Sequence, residues 1–377
     1  MKKIFIVSAE PSAEMYASFI IKELTKGLEV SITGIGDDRL KNAGVSLIGR
    51  ASELAVVGAI EVISHFFKIR HVLKKSIKWI KEHNPEMVIL FDFPDFNFLL
   101  IKKIRKFFKG KIVYIISPQI WAWRKKRKFF IKKHVDKMIV ILPFEKKIYD
   151  EIDFNVEYLG HPLVDIVKPD MSPQDFKIKL GIKPENKLIT IFPGSRIKEI
   201  KHHLDVIDKT INYLKRKYAD FEFLLVLANE QFRGIFETSL TNMSRIHLVL
   251  GDTYNAINAS YIVLAKSGTV TLETAILQKP AVVFYKVNRL SYFVAKALVD
   301  VKFISLPNIL LNEYVYPEFI QDEFNVANIT SSIERLIEDP DFYISTVDRL
   351  QKVKKILGEG GFFHRAAKKI EEWLNEK

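Results

Sequence analysis

The feature that most constrains this chain is a rhythm that occurs twice. A short apolar run ends at Gly, Pro, Ser or Asp, and a longer amphipathic stretch follows. In the first half the apolar runs are Lys3–Ser8, Val30–Thr33, Met87–Phe91, Ile112–Ile116 and Met138–Leu142. In the second half they are Leu188–Phe192, Phe221–Leu227, His247–Leu250, Tyr261–Leu264 and Ala281–Phe284. Strands alternating with helical patterns predict an α/β architecture with parallel sheets. The doubled rhythm predicts two Rossmann-like, doubly wound domains facing across a cleft. A chain of 377 residues is long enough to bury a core in each. The segment Pro162–Asn186 carries four prolines and precedes a new strand, which places the boundary there. The reading is an N-terminal domain over 1–165, a C-terminal domain over 166–345, and helices over 346–377 that pack back on the first domain.

Composition narrows the chemistry. With no cysteine, a disulfide framework, a thiolate zinc site and a cysteine nucleophile are all excluded. The nine histidines are dispersed and no H-E-x-x-H or carboxylate cluster occurs, so no catalytic metal is expected. Asp37 and Asp38 are a weak metal candidate in a Gly-rich turn, and His161 reads as structural. The opening apolar run, Ile4 to Val7, falls short of the roughly 7–15 residues of a secretory segment. No run approaches the roughly 20 apolar residues of a membrane span, so any membrane association is expected to be peripheral.

The net charge of +13 is regional. Residues 65–133 hold 19 Lys and Arg against four acids, whereas the remaining 308 residues sum to −2. Aromatic residues interleave with this charge, most densely in SPQIWAWRKKRKFF, where Trp121 and Trp123 precede Arg124, Lys125, Lys126 and Arg127. That pattern fits an interfacial helix start on an anionic membrane surface. A solvated basic helix with its tryptophans in the core is the plain alternative.

Open α/β sheets bind ligands outside the carboxyl ends of their strands, so motifs directly after strands carry the functional reading. In IFPGSRIKE, Gly194 and Ser195 turn the chain and Arg196 stands at a helix start, an arrangement suited to phosphate oxygens. Ser195 serving as a simple N-cap would look the same. In LAKSGTVTLETA, Ser267, Gly268 and Thr269 repeat the arrangement, and Glu273 follows four residues after Thr269, one more than a capping box needs. A carboxylate there suits ribose hydroxyls. In VILFDFPDFN, an apolar strand delivers Asp92 to its end as a candidate general base, while Asp95 reads as a helix N-cap. In SAEPSAE, Ser12 is a candidate N-cap, and Glu10 and Glu14 are candidates for the acceptor sugar or for ordering the loop. No G-x-G-x-x-G is present, so no dinucleotide cofactor is expected.

Taken together and in order, AEPSAE, ELAVVGAIEVI, FDFPDFN, YIISPQIWAWRKKR, LPFEKKIYD, LGHPLVD, FPGSRIKEI, AKSGTVTLETA and SLPNILLNEYVYPEFIQ resemble the lipid-A-disaccharide synthase family. The resemblance implies a GT-B-type fold and an inverting, metal-independent transfer. UDP-2,3-diacylglucosamine would donate to 2,3-diacylglucosamine 1-phosphate (lipid X), giving a β-1,6 disaccharide 1-phosphate and UDP. It implies Asp92 as base, and Arg196 with the Ser267–Thr269 helix start as counter-charge to the leaving diphosphate. Glu273 would hold ribose, Asn308 and Gln321 would line the donor site, and Glu10 and Ser12 would face the acceptor. The first loop departs from the family's G-E-x-S-G-D, since Ala9, Ala13 and Glu14 replace two glycines and an aspartate. Acylated, anionic substrates would explain the basic first domain, with Phe66, Phe67, Phe107 and Phe108 reaching acyl chains at the inner face of the cytoplasmic membrane. Other readings are a GT-B N-acetylglucosaminyltransferase, a UDP-sugar epimerase, or a basic lipid or nucleic-acid binder. Two strand-end nucleotide motifs argue against nucleic acid as the partner. The sequence sets no oligomeric state.

Overall fold

The structure is a computed structural model that describes residues 1–54, 62–289, 292, 296 and 301–376. Residues 1–165 and 357–377 form one unit, and residues 166–356 form a second. The first begins with β1 (Lys2–Ser8), α1 (Pro11–Gly27), β2 (Val30–Gly36), α2 (Asp38–Asn42), β3 (Ser46–Arg50) and α3 (Val62–His83). It continues with β4 (Met87–Phe91), α4 (Pro94–Ile104), β5 (Lys111–Ile115), α5 (Arg127–His134), β6 (Lys137–Val140), α6 (Pro143–Asp150) and β7 (Glu157–Tyr158). All seven strands pair in parallel, in the order β3-β2-β1-β4-β5-β6-β7.

A one-turn helix, α7 (Leu163–Ile166), leads into the second unit. There follow α8 (Pro173–Lys179), β8 (Lys187–Phe192), α9 (Ile197–Lys217), β9 (Phe221–Leu227), α10 (Arg233–Ser239), β10 (Ile246–Leu250) and α11 (Thr253–Ala259). Next come β11 (Ile262–Lys266), α12 (Thr269–Ile276), β12 (Ala281–Tyr285), α13 (Leu306–Leu311), β13 (Glu318–Ile320), α14 (Val326–Glu338) and α15 (Pro340–Ile356). The six parallel strands run β10-β9-β8-β11-β12-β13. The last helix, α16 (Phe362–Asn375), returns to the first unit. The second break therefore falls after Ile356 rather than at 345, because α15 completes the second unit with its buried Leu350 and Val353.

Strand side chains alternate between two apolar layers, as a pleated strand requires. In β1, Ile4 and Ile6 join α1 and α16 through Ala17, Ile20, Ile370 and Trp373, while Phe5 and Val7 join Leu100, Ile104 and Ile131 on the other face. Lysines secure the end of α16: Lys2 Nζ donates to the Leu374 carbonyl at 2.8 Å and Lys111 Nζ to that of Trp373 at 2.6 Å. Cations at a helix C-terminus satisfy its free carbonyls and complement its dipole.

Several local expectations are corrected. Ser12 is the second residue of α1, whose N-cap is Glu10, and Phe93 rather than Asp95 caps α4. Ala9 and Ala13 are absent from the residues with positive φ, so losing the usual glycines strains neither. Glu14 is buried and accepts from the Asp37 and Leu40 amides at 2.7 and 3.2 Å, tying α1 to the β2–α2 turn. His161 is buried, its ring accepts from the Leu163 amide, and burial lowers its pKa to about 3, which fixes it as a neutral structural residue.

Replacing Ile370 by Ala should cost about 2–5 kcal/mol in urea denaturation. A loss below about 1 kcal/mol would show that α16 is not part of this core.

Candidate active site

Each sheet reverses its strand order once, between β1 and β4 and between β8 and β11. At such a point the helices on either side diverge and leave a crevice at the carboxyl ends. Asp92 and Glu10 follow β4 and β1, and the Gly194–Arg196 and Ser267–Thr269 turns follow β8 and β11.

In the second unit the residues of the two turns, Arg196 excepted, line one cavity of about 420 Å³. Gly194, Ser195, Lys266, Ser267, Gly268 and Thr269 supply its polar wall, and Phe192, Val226 and Leu227 part of its apolar one. Gly194 has φ of 121°, a conformation that excludes most side chains, and an added Cβ would sit 3.3 Å from Glu199 Oε2. Gly268 meets no such limit: a Cβ there would find nothing nearer than 4.0 Å, so glycine leaves the start of α12 open to a ligand. Ser267 is partly committed, since its hydroxyl donates to the Ile304 carbonyl at 2.6 Å. Arg196 is the N-cap of α9, and its side chain is 79% exposed with Nη1 3.4 Å from Glu199 Oε1. A guanidinium so loosely held can turn toward an anion. Glu273, one turn into α12, lines an adjoining cavity of about 330 Å³ with Asp170, Asp252 and Asn255, and Thr253 lines both. Burial pushes the Glu273 carboxyl up to about 7.

Asn308 and Gln321 do not line either cavity. Asn308 is buried and spends its amide on the Tyr316 carbonyl, Glu318 Oε1 and the Val315 and Tyr316 amides. Glu318 in turn holds the Ile304 and Ser305 amides, each at 2.8 Å, so Asn308 acts on the loop that accepts Ser267. Gln321 clamps the backbone of Val287 through both ends of its amide, at 2.9 and 3.0 Å. Their polar groups are the supports of loops.

In the first unit Asp92 occupies a strained turn. Asp92 and Phe93 both have left-handed backbones, with φ of 41° and 43°. Non-glycine residues rarely adopt this conformation, and the surroundings must over-determine it. Here they do: the Asp92 amide donates to the Ile115 carbonyl, and its carbonyl accepts from Asn97 Nδ2 and the Tyr114 hydroxyl. Ile116, at the end of β5, is also left-handed, with φ of 69°. Two buried polar atoms beside the turn, Ser8 Oγ and Asn97 Oδ1, have no hydrogen-bond partner. Burial and the negative charge of Glu10 push the Asp92 carboxyl up to about 6, against the pull of the Phe93 amide.

The sequence reading missed Glu145. It is buried at the start of α6, where Oε2 accepts from the Leu142 amide at 3.0 Å, and burial pushes its carboxyl up to about 8. The buried Trp121 indole N–H makes no well-formed hydrogen bond but lies near enough to oppose that rise. Only the position of Glu145 after a strand could have marked it.

The basic segment divides. The half-buried Trp121 ring packs edge-on against Phe144 at 5.4 Å, with its indole N–H turned inward. Arg124 and Arg127 flank the Trp123 ring at 4.3 and 5.4 Å and both pair with Asp95. Lys125 and Lys126 are exposed. Phe108 is buried, which removes it from any membrane contact, whereas Phe107 is half-buried against the core and Phe67 is 64% exposed. The Phe66 side chain lies outside the described residues, as does most of the ELAVVGAIEVI block. Among the described residues no helix is long and apolar enough to cross a membrane, and no group of three or more His, Asp or Glu could hold a metal ion.

The profile of the lipid-A-disaccharide synthetase family matches residues 4–368. The chain belongs to this family. The lipid-A-disaccharide synthase of Persephonella marina is 35% identical over 99% of both chains. That of Geobacter metallireducens is 36% identical over 100% of this chain and 98% of its own. Among solved structures, the UDP-GlcNAc 2-epimerase from Neisseria meningitidis bound to UDP-GlcNAc superposes with a TM-score of 0.65 at 16% identity, covering 99% of each chain. The calicheamicin glycosyltransferase CalG4 does so with 0.65 at 13% identity, covering 100% of this chain and 99% of its own. At such identities the likeness is one of fold, and that fold is GT-B. In this lipid-A-disaccharide synthetase family member, both sheets are of the parallel, doubly wound kind the sequence rhythm predicts.

The raised Asp92 pKa has a consequence for stability. The folded chain keeps the proton between about pH 4 and 6, where the unfolded chain loses it. The contribution therefore favours folding at low pH and is lost as pH rises through about 6. Asp92→Asn should stabilise the protein by about 1–2 kcal/mol at pH 8, after discounting for partial exposure, with the gain vanishing near pH 4. Urea denaturation at both pH values reads this, and a gain at pH 4 equal to that at pH 8 would contradict it.

Proposed function

We propose that this chain transfers the acylated glucosamine of UDP-2,3-diacylglucosamine to the 6-hydroxyl of lipid X, forming the β-1,6-linked disaccharide 1-phosphate and UDP. The observation that carries the reading is the family match over nearly the whole chain, joined to a strand-end carboxyl whose surroundings lift its pKa to about 6. A carboxylate near that value is deprotonated at neutral pH yet basic enough to take a proton in the transition state.

The chemistry is a single displacement. The acceptor 6-oxygen forms a bond to the donor anomeric carbon on the face opposite the diphosphate, and its proton passes to the Asp92 carboxylate. The bond from that carbon to the diphosphate oxygen breaks, and UDP departs with the electron pair. Charge grows on the leaving oxygen, so fixed donors aimed at it lower the barrier. Arg196 and the amides at the start of α12 would supply them, the latter beside Gly268, where a ligand can approach closely. Glu273 suits the ribose, one helical turn behind. Glu10, exposed after β1 and felt electrostatically by Asp92, is the acceptor-side carboxylate; Ser12, exposed in the first turn of α1, is its neighbour there.

Two acylated substrates require contact with a lipid surface. Exposed Lys125 and Lys126, beside the half-exposed Trp123, support peripheral binding to anionic lipid at the inner face of the cytoplasmic membrane. Each basic residue near such a surface contributes about 1 kcal/mol. Neutralising both lysines should weaken sedimentation with phosphatidylglycerol-containing vesicles about 10- to 30-fold, and unchanged partitioning would remove this segment from the membrane face.

The decisive assay incubates the protein with both diacylated sugars in detergent and EDTA and measures disaccharide and UDP together. Equimolar formation is expected. Asp92→Ala should lower kcat by about 10²–10⁴, and the wild-type rate should rise with pH through about 6 as the base ionises. UDP-N-acetylglucosamine turning over as well as the diacylated donor would instead favour another GT-B activity.

A further inference from the structure

The donor cavity contains a cation that the transferase reading leaves without a role. Lys266 is the last residue of β11 and lines the cavity of about 420 Å³ beside Ser267 and Gly194. Its side chain is 20% exposed, with Nζ 5.1 Å from the Tyr285 ring centre and 3.6 Å from Glu199 Oε2. That separation is an ion pair without a hydrogen bond. Glu199 is itself buried, and Oε2 has no hydrogen-bond partner, while Oε1 lies 3.4 Å from Arg196 Nη1.

A buried carboxylate at the rim of an anion site is costly unless it serves the cations around it, because a bound phosphate repels it. Glu199 lies between Arg196 and Lys266, and both contacts are long. Neither cation is locked by a short, charge-assisted hydrogen bond, so both can leave for a better acceptor at little cost. The cavity wall supplies that opportunity, since Gly194 and Gly268 line it together with Lys266 and present backbone without side chains.

We propose that Lys266 is a second phosphate-binding cation, beside Arg196, for the diphosphate of a nucleoside diphosphate, and that Glu199 is a positioning residue holding both cations until the nucleotide arrives. On binding, the ammonium moves from Glu199 Oε2 to the phosphate oxygens. This inference rests on the donor-site reading above. It adds that the diphosphate, rather than the nucleoside, is what Lys266 recognises.

The test is calorimetric titration of the full chain with UDP at two ionic strengths, with uridine as the uncharged probe measured by ligand-observed NMR. Lys266→Met should weaken UDP about 10–100-fold, flatten the salt dependence of its Kd, and leave uridine unchanged. Lys266→Arg should recover most of the UDP affinity. A folding defect would weaken both ligands and lower Tm, so Lys266→Met with native Tm is the informative variant, and Lys266→Arg provides a second reading. Glu199→Gln, which removes the competing charge while keeping the shape, should bind UDP a few-fold tighter at low salt. Equal UDP affinity in wild type and Lys266→Met would overturn the proposal, and weaker UDP binding by Glu199→Gln would overturn the holding role. Wild type that binds neither UDP nor uridine would overturn the donor-site reading, and this proposal with it.

Discussion

Parallel pairing across the middle of each sheet, β1 with β4 and β8 with β11, is the constraint on which the rest depends. Every strand in these sheets points the same way, so all carboxyl ends lie on one edge and every loop leaving that edge begins beside the others. Reversal of strand order then separates the flanking helices at a single place in each sheet. Pairing of Ser8 with Phe91 brings the loop after β1 beside Asp92. Pairing of Ala265 with Phe192 brings the Lys266–Thr269 turn beside the Pro193–Arg196 turn. Residues more than 70 positions apart in the chain thus share a wall because backbone hydrogen bonds fix the register, and side-chain chemistry follows from it.

The two edges have opposite electrostatic character. Around Asp92 burial raises the carboxyl pKa values of Asp92 and Glu145, with the charge of Glu10 adding to the first and that of Asp92 to the second, which suits a group that must take up a proton. Around Gly194 and Gly268 two cations loosely paired with Glu199 and the amides at the start of α12 suit a group that must leave with negative charge. The strained Asp92–Phe93 turn belongs to the first pattern. Holding two residues in the left-handed region costs about 1–3 kcal/mol each, and the Tyr114 and Asn97 bonds to the Asp92 carbonyl oppose its relaxation. The strain fixes where the carboxyl points, which a relaxed loop would not.

How much of this was legible in the sequence follows from burial. Strands enclosed on both faces read as continuous apolar runs, and those in the middle of both sheets were found within a few residues of their ends. Edge strands β3, β7 and β13 were missed because they are short and only partly buried, which leaves no hydrophobic signature. Asp92 stood out as a charge ending an apolar run. Lys266 ends one equally well, but in the sequence a lysine before a serine and a glycine is indistinguishable from a solvated surface cation. Asn308 and Gln321, which the resemblance assigns to the donor site, are legible as residues but not in their contacts. Resemblance supplied their identity, but direction depends on which backbone groups need partners, and that is settled only by the loops packed around them.

The basic segment makes the same point about charge. A sum of +15 over residues 65–133 suggests one continuous surface, but folding spends part of it internally. Arg105 holds the His134 carbonyl and Asp136, Lys111 fastens the end of α16, Lys128 pairs with Glu151, and Arg124 with Arg127 encloses Trp123 and Asp95. These cations fasten helices to one another and to the sheet that carries Asp92. Only the remainder is left for a partner, so the charge that acts between molecules is smaller than the charge in the sequence. The sheet that carries Asp92 is held by lysines and arginines that composition alone would assign to the membrane.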